Sequence, residues 1–218
     1  MALVLLYGGT FDPVHAGHLA VARAARDELG ATVHLLPAAD PPHRDATGAD
    51  AAQRVHMLEL AITDEQGRGE PGLVVDTREL ARAGASYTVD TLREVRAELG
   101  PDAPLAWITG DDSFRSLPDW HGWQALFDLA HFVVALRPGH SLDDLPPALA
   151  ARAAARWVER PADLLAAPAG SLYRLHFPPR PESASAIRRD LAAGQAPAGL
   201  PAAVERFIRV TGLYGAGV

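Results

Sequence analysis

The sequence predicts an α/β fold built on a doubly wound parallel sheet. Three observations carry that expectation. Short apolar runs alternate with amphipathic stretches from the first residues onward. Glycines stand just past two of those stretches, at Gly30 and Gly100, where helices stop. A chain of 218 residues, 48% hydrophobic and 22% charged, suits one compact domain with a modest insertion.

The elements follow in order. Strands are expected at Leu3–Tyr7, Thr32–Leu36, Leu73–Asp76, Leu105–Thr109, His131–Leu136 and Leu172–Phe177. Most are continuously apolar, as parallel strands covered on both faces should be. Helices are expected at His18–Leu29, Ala51–Thr63, Val89–Leu99 and Gly122–Ala130. Ala38–Asp50 reads as a long polar loop. Gly139–Gly170, rich in Ala, Pro and Arg, reads as a surface insertion with a helical stretch around Pro147–Val158. Ser183–Tyr214 reads as two helices broken by Gly194-Gln195-Ala196-Pro197, a small C-terminal helical part. The whole, residues 1–218, is one Rossmann-like domain without internal repeats. Ligands in such sheets sit outside the carboxyl ends of the strands.

Composition narrows the chemistry. There is no cysteine, which excludes disulfides, thiolate catalysis and Cys-ligated zinc. There is no lysine either, so all 20 Lys+Arg residues are Arg. That excludes a P-loop lysine and Schiff-base chemistry. A bound phosphate must be met by Arg, His, backbone N–H groups or a metal. The net charge of -7 weighs against a duplex-DNA binder. No apolar run is long enough for a membrane span, and the start lacks a basic n-region, so a cytoplasmic location without membrane contact is expected.

The strongest local signal is Gly8-Gly9-Thr10-Phe11-Asp12-Pro13-Val14-His15-Ala16-Gly17-His18. Two glycines after the first strand suit a sharp turn and close approach to a ligand. His15 and His18 flank the start of the next helix, with Gly17 leaving room between them. Helix N-termini bind anions through unpaired N–H groups, and two imidazoles can add donors. His-x-x-His could instead be a metal site or a cap, but no third ligand lies at a standard zinc spacing. No protein metal ligand is therefore expected.

This string resembles the phosphate-binding motif of the nucleotidyltransferase superfamily, Gly-x-Phe-x-Pro-x-His-x-Gly-His. Class I aminoacyl-tRNA synthetases carry a related His-x-Gly-His. Further segments, in order along nearly the whole chain, resemble bacterial nicotinate-mononucleotide adenylyltransferases. Pro41-Pro42-His43-Arg44 looks like that family's loop after the second strand, although Asp45-Ala46-Thr47-Gly48 departs from its usual basic continuation. Ser86-Tyr87-Thr88, which could be plain helix caps, matches its nicotinate pocket. Gly110-Asp111-Asp112-Ser113 matches its Gly-x-Asp-Ser motif at Asp112, which could also be an N-cap, and Asp111 is an unusual extra charge. Pro118-Asp119-Trp120-His121 offers Trp120, which could be a plain core residue and which in the family stacks on the nicotinate ring, with His121 where an aromatic residue is commoner. Arg137-Pro138-Gly139 ends a strand with an Arg placed to meet phosphate, which could also be a plain surface Arg. Ser183-Ala184-Ser185-Ala186-Ile187-Arg188 resembles the signature that binds the β- and γ-phosphates, with two departures: Glu182, which puts a carboxylate near the phosphates or else points to solvent, and Ser185, which keeps the hydroxyl of the usual Thr.

The resemblance implies adenylyl transfer from ATP to nicotinate mononucleotide, giving nicotinate adenine dinucleotide and pyrophosphate, a step of NAD biosynthesis. It implies catalytic roles for His15, His18 and Arg188. ATP would be bound by Gly8, Gly9, Thr10, Phe11, His15, His18, Gly110, Asp112, Arg137, Ser183, Ser185 and Arg188. The acceptor would be bound by Thr10, His43, Arg44, Tyr87, Thr88, Trp120 and His121. Mg²⁺ would come with ATP, and the protein would be a monomer or small homo-oligomer. Three rivals stand beside this reading. One is the same chemistry on phosphopantetheine, or on a polyol phosphate with CTP, against which Ser86-Tyr87-Thr88 and Asp119-Trp120 speak. The second is a class I synthetase fragment, disfavoured by the missing lysine signature. The third is a non-catalytic nucleotide sensor, disfavoured by intact His15, His18 and Arg188.

Overall fold

The computed structural model describes residues 2–39, 48–67, 69, 71–82, 84, 86–136, 141–178 and 180–216. Among them, seven strands form one sheet: β1 (Val4–Gly9), β2 (Val33–Pro37), β3 (Leu73–Val75), β4 (Leu105–Gly110), β5 (His131–Ala135), β6 (Trp157–Val158) and β7 (Leu172–Leu175). Their order is β3-β2-β1-β4-β5-β7-β6, and every pairing is parallel. The order runs outward in both directions from β1 and β4. The carboxyl ends of those two strands therefore form the crevice where doubly wound sheets take ligands. The expected doubly wound α/β fold is the fold observed.

Side chains alternate between the two faces of the sheet with period two. Leu5, Leu35, Ala106 and Val133 join one core. Their neighbours Leu6, Leu36, Trp107 and Val134 join the other. The first core is closed by α1 (Ala16–Leu29), α2 (Ala51–Gly67), α7 (Ala184–Ala192) and α8 (Ala202–Thr211), through Leu19, Met57, Leu58, Ile187 and Ile208. The second is closed by α3 (Thr88–Leu99), α4 (Asp111–Arg115), α5 (Trp123–Leu129) and α6 (Pro147–Ala153), through Leu92, Phe114, Leu126 and Leu149. Each fully buried leucine contributes about 1.5–3 kcal/mol of hydrophobic free energy. No helix among the described residues is long and apolar enough to cross a membrane.

Two expectations need correction. Helix α6 ends at Ala153, and Trp157–Val158, read as its last turn, is the edge strand β6. Pairing with Leu172 and Tyr173 of β7 overrides the Ala-rich local pattern. Strand β1 continues through Gly8 and Gly9, so these are not the turn itself. A Cβ on Gly8 would lie 2.3 Å from the Trp107 ring, and one on Gly9 would lie 3.0 Å from the Phe11 ring. Their bare backbone makes room for aromatic side chains under the loop. The two C-terminal helices are present, and Ser183 caps the first of them by accepting from Ala186 N at 3.3 Å.

Candidate active site

The loop from β1 to α1 is built around imidazole and carboxylate acceptors. His15 is the N-cap of α1, with extended backbone. Its Nδ1 accepts from Gly17 N at 3.1 Å, while the Nδ1 of His18 accepts from His15 N at 3.3 Å. This is a capping box made with imidazoles in place of the usual hydroxyl and carboxylate. A neutral imidazole that accepts at Nδ1 carries its proton on Nε2. Both rings are thus set as Nε2–H donors. They lie 3.8 Å apart, centroid to centroid, and Phe11 packs edge-on to His18 at 5.0 Å. His15 is buried and His18 half-buried.

Gly17 sits in the first turn of α1 against the His15 ring. A Cβ there would lie 3.0 Å from His15 Nδ1 and Cε1. Gly17→Ala should leave the melting temperature level or raise it, because alanine is worth about 0.5–1 kcal/mol over glycine in a helix. It should nevertheless lower turnover roughly tenfold by displacing the ring, since an ångström of misplacement costs about 10²-fold. Calorimetry and a pyrophosphate-release assay on one preparation check both halves. Unchanged turnover would show that the ring position does not matter.

The two stretches expected to bind phosphate meet. Ile187 is buried in the core below α7, and this turns Arg188 toward the β1–α1 loop. The guanidinium donates to the carbonyl of Asp12 at 2.6 Å and lies 3.7 Å from its carboxylate. Ala16 N, at the start of α1, donates to Gly199 O in the α7–α8 connection at 2.7 Å. Ser183, His15, His18 and Arg188 thus come to one edge, while Ser185 is exposed. Glu182 neither points to solvent nor stands in the open crevice. Its side chain is 11% exposed, packs on the Gly199 turn and lies 3.8 Å from Arg180.

Beside this edge, Gly110 ends β4 and is the N-cap of α4. Asp112 is therefore inside the helix and exposed, not the cap, and the unusual Asp111 is fully buried. Tyr87 is the N-cap of α3 but makes no side-chain cap bond. Nor does Ser86 serve as a cap: its hydroxyl accepts from Arg82 at 3.2 Å. Thr91 donates to Glu79 at 2.8 Å. Burial pushes the Glu79 carboxyl up, while hydrogen bonds from Thr91 and Ser86 oppose that. This buried cluster anchors the start of α3, where Thr88 is the first helical residue. Tyr87 and His121 face each other at 4.5 Å, tilted by 34°. Trp120 is half-buried beside them on the second core and donates from Nε1 to Ser116 Oγ at 3.3 Å. His43, Arg44 and Arg137 lie outside the described residues.

Three residues with large local roles carried no functional reading in the sequence. Arg54 is fully buried and donates to the carbonyls of Thr10 at 3.0 Å and Ala38 at 2.7 Å, tying the β1 and β2 loops together. Its signal was a charge on an apolar stripe, since Arg54, Met57, Leu58, Ala61 and Glu65 share the buried side of α2. Asp12 is buried and accepts from Gly48 N at 2.9 Å, Ala49 N at 3.1 Å and Tyr214 Oη at 2.6 Å. Tyr214, the third, gave no local signal at all. Among the described residues, no group of three or more His, Asp or Glu side chains could hold a metal ion.

The comparisons with known proteins bear on the whole chain. The cytidylyltransferase-like family matches residues 6–190. A protein of Stenotrophomonas maltophilia named "Probable nicotinate-nucleotide adenylyltransferase" is 56% identical over 98% of this chain and 97% of its own length. A protein of Laribacter hongkongensis with the same name is 51% identical over 96% of this chain and 93% of its own. The fold also matches a Plasmodium falciparum nicotinic acid mononucleotide adenylyltransferase solved with NaAD, with a TM-score of 0.76 at 15% identity, covering 100% of this chain and 99% of that one. The family match over most of the chain and these near-full-length relatives lead to one assignment: the chain belongs to the nicotinate-nucleotide adenylyltransferase family, whose members are nucleotidyltransferases of the cytidylyltransferase-like type.

Proposed function

We propose that this chain transfers the adenylyl group of ATP to nicotinate mononucleotide in the cytoplasm, releasing pyrophosphate. The observation that carries the reading is the hydrogen bond from Arg188 to Asp12, which brings the α7 start and the β1–α1 loop to one edge. Lacking lysine, the protein must gather its phosphate donors from two distant segments, and this contact joins them.

The acceptor's phosphate monoester is already ionised near neutral pH, with a second pKa of about 6. It needs no general base. An acceptor oxygen bonds to the α-phosphorus in line as the bond from that phosphorus to the pyrophosphate oxygen breaks. Catalysis is then positioning and charge neutralisation. We assign His18 Nε2–H to the α-phosphate, where charge builds in the transition state, and His15 to the neighbouring phosphate oxygens. Ser183, the N–H groups opening α7 and Arg188 hold the leaving pyrophosphate. Gly110 and Asp112, at the end of β4, suit the ATP ribose. Tyr87, Trp120 and His121 lie toward the second core and suit the flat pyridine ring. The two substrates would thus approach from opposite faces of the sheet and react over the β1–β4 edge. The divalent cation, Mg²⁺ in this reading, belongs to the ATP substrate and takes phosphate and water ligands. The Asp12 carboxylate is already held by three donors, so it is not counted among them.

Side-by-side kinetics test the acceptor. Nicotinate mononucleotide should give the higher kcat/KM, because backbone N–H groups at the start of α3 favour a pyridine carboxylate over a carboxamide. A preference for nicotinamide mononucleotide would remove that assignment, and no pyrophosphate with either would remove the function.

A further inference from the structure

We propose that Tyr214 is a positioning residue for ATP, whose hydroxyl keeps Asp12 satisfied so that Arg188 stays available to the triphosphate. The inference rests on the adenylyltransferase reading above, and nothing in the motifs points to this residue.

Tyr214 lies in the 3₁₀ turn after α8, with φ 57 and ψ 23, in the left-handed region that a non-glycine residue enters only when its surroundings hold it there. Its hydroxyl donates to Asp12 Oδ1 at 2.6 Å, across 202 residues of sequence. Burial, then the bond to the Asp12 carboxylate, pushes the phenol well above its usual range, so it remains a donor. Its ring covers Gly48, where a Cβ would lie 2.7 Å from the ring carbons and 3.6 Å from Arg188 Cδ. One side chain thus touches the carboxylate of the phosphate loop, the backbone that feeds α2 and the space beside the phosphate arginine.

The arrangement works through competition. A buried carboxylate is satisfied either by several neutral donors or by a charged fork, and an arginine fork is the stronger partner. Here neutral donors do the work: Gly48 N, Ala49 N and Tyr214 Oη. Arg188 stands 3.7 Å from Oδ2, outside hydrogen-bond range, and donates to the Asp12 carbonyl instead. Its side chain remains 36% exposed. Without the phenol hydroxyl, Asp12 Oδ1 keeps only the bond from Ala49 N, and Arg188 is the cation nearest the carboxylate, both among the described residues. The guanidinium then closes on the carboxylate, and ATP must break that pair to recruit it.

Tyr214→Phe keeps the ring and removes only the donor. Its KM for ATP should rise about tenfold, matching the loss of one charge-assisted hydrogen bond. The KM for nicotinate mononucleotide should stay unchanged and kcat should move less than about threefold. A structural role would lower the melting temperature without this split between substrates. Placing Tyr214→Phe on an Arg188→Ala background should add nothing to the ATP effect, because the tyrosine acts through that arginine. Should Tyr214→Phe fold poorly, Gly48→Ala gives a second route, since its methyl group displaces the ring and should raise the ATP KM in the same way. Calorimetric titration of wild type and variants with a non-hydrolysable ATP analogue reads the same change without any acceptor, which separates this inference from the choice of acceptor. Unchanged ATP affinity in Tyr214→Phe, or in Gly48→Ala where the first variant does not fold, overturns it. So does an equal loss on the Arg188→Ala background.

Discussion

Replacing His18 by alanine is expected to lower kcat and kcat/KM together by about 10²–10³-fold, the cost of removing one donor aimed at developing charge. The expectation rests on the orientation of the ring. His18 Nδ1 accepts from His15 N, which leaves the proton on Nε2, and Phe11 braces the ring at 5.0 Å. The side chain is thus a preorganised donor at the β1 edge, and ATP need not spend binding energy to arrange it. The same substitution removes the reciprocal half of the capping box on α1, so stability should fall by about 1 kcal/mol. That loss is too small to unfold the protein, and a thermal scan separates it from the rate effect. Pyrophosphate release by His18→Ala within about threefold of wild type would show that the ring does not meet the reacting phosphate.

Arg54→Met is expected to produce the largest loss of stability. The guanidinium is fully buried and bonds the carbonyls of Thr10 and Ala38. Methionine fills much of the same volume but donates nothing, so two partly buried carbonyls lose a partner at about 1–2 kcal/mol each. For a chain of this size the total corresponds to a fall in melting temperature of about 5–15 °C. Activity should fall beyond what unfolding explains, because Thr10 lies in the β1–α1 loop proposed to hold the phosphates. A melting temperature equal to wild type would mean that the loops hold together without the arginine.

The fold was legible where its signals are local. Continuous apolar runs separated by amphipathic stretches were enough to expect the parallel sheet, and the three-residue spacing of His15 and His18 located the start of α1. What stayed hidden depends on pairs far apart in sequence. Gly8 is glycine because Trp107 lies beneath it on the neighbouring strand. Trp157–Val158 is a strand because β7 offers it an edge. Glu182 read either as a charge near the phosphates or as a side chain in solvent, yet the Gly199 turn takes it up. Arg54 left a trace, a cation on an apolar helical stripe, whereas Tyr214 left none: only the folded chain brings it to Asp12.

The most direct measurement is a crystal structure with a non-hydrolysable ATP analogue. The account predicts the triphosphate over the carboxyl ends of β1 and β4, with His18 Nε2 and the Arg188 guanidinium both within hydrogen-bond distance of its oxygens. A nucleotide bound elsewhere, or touching one of these groups while the other faces away, would contradict it.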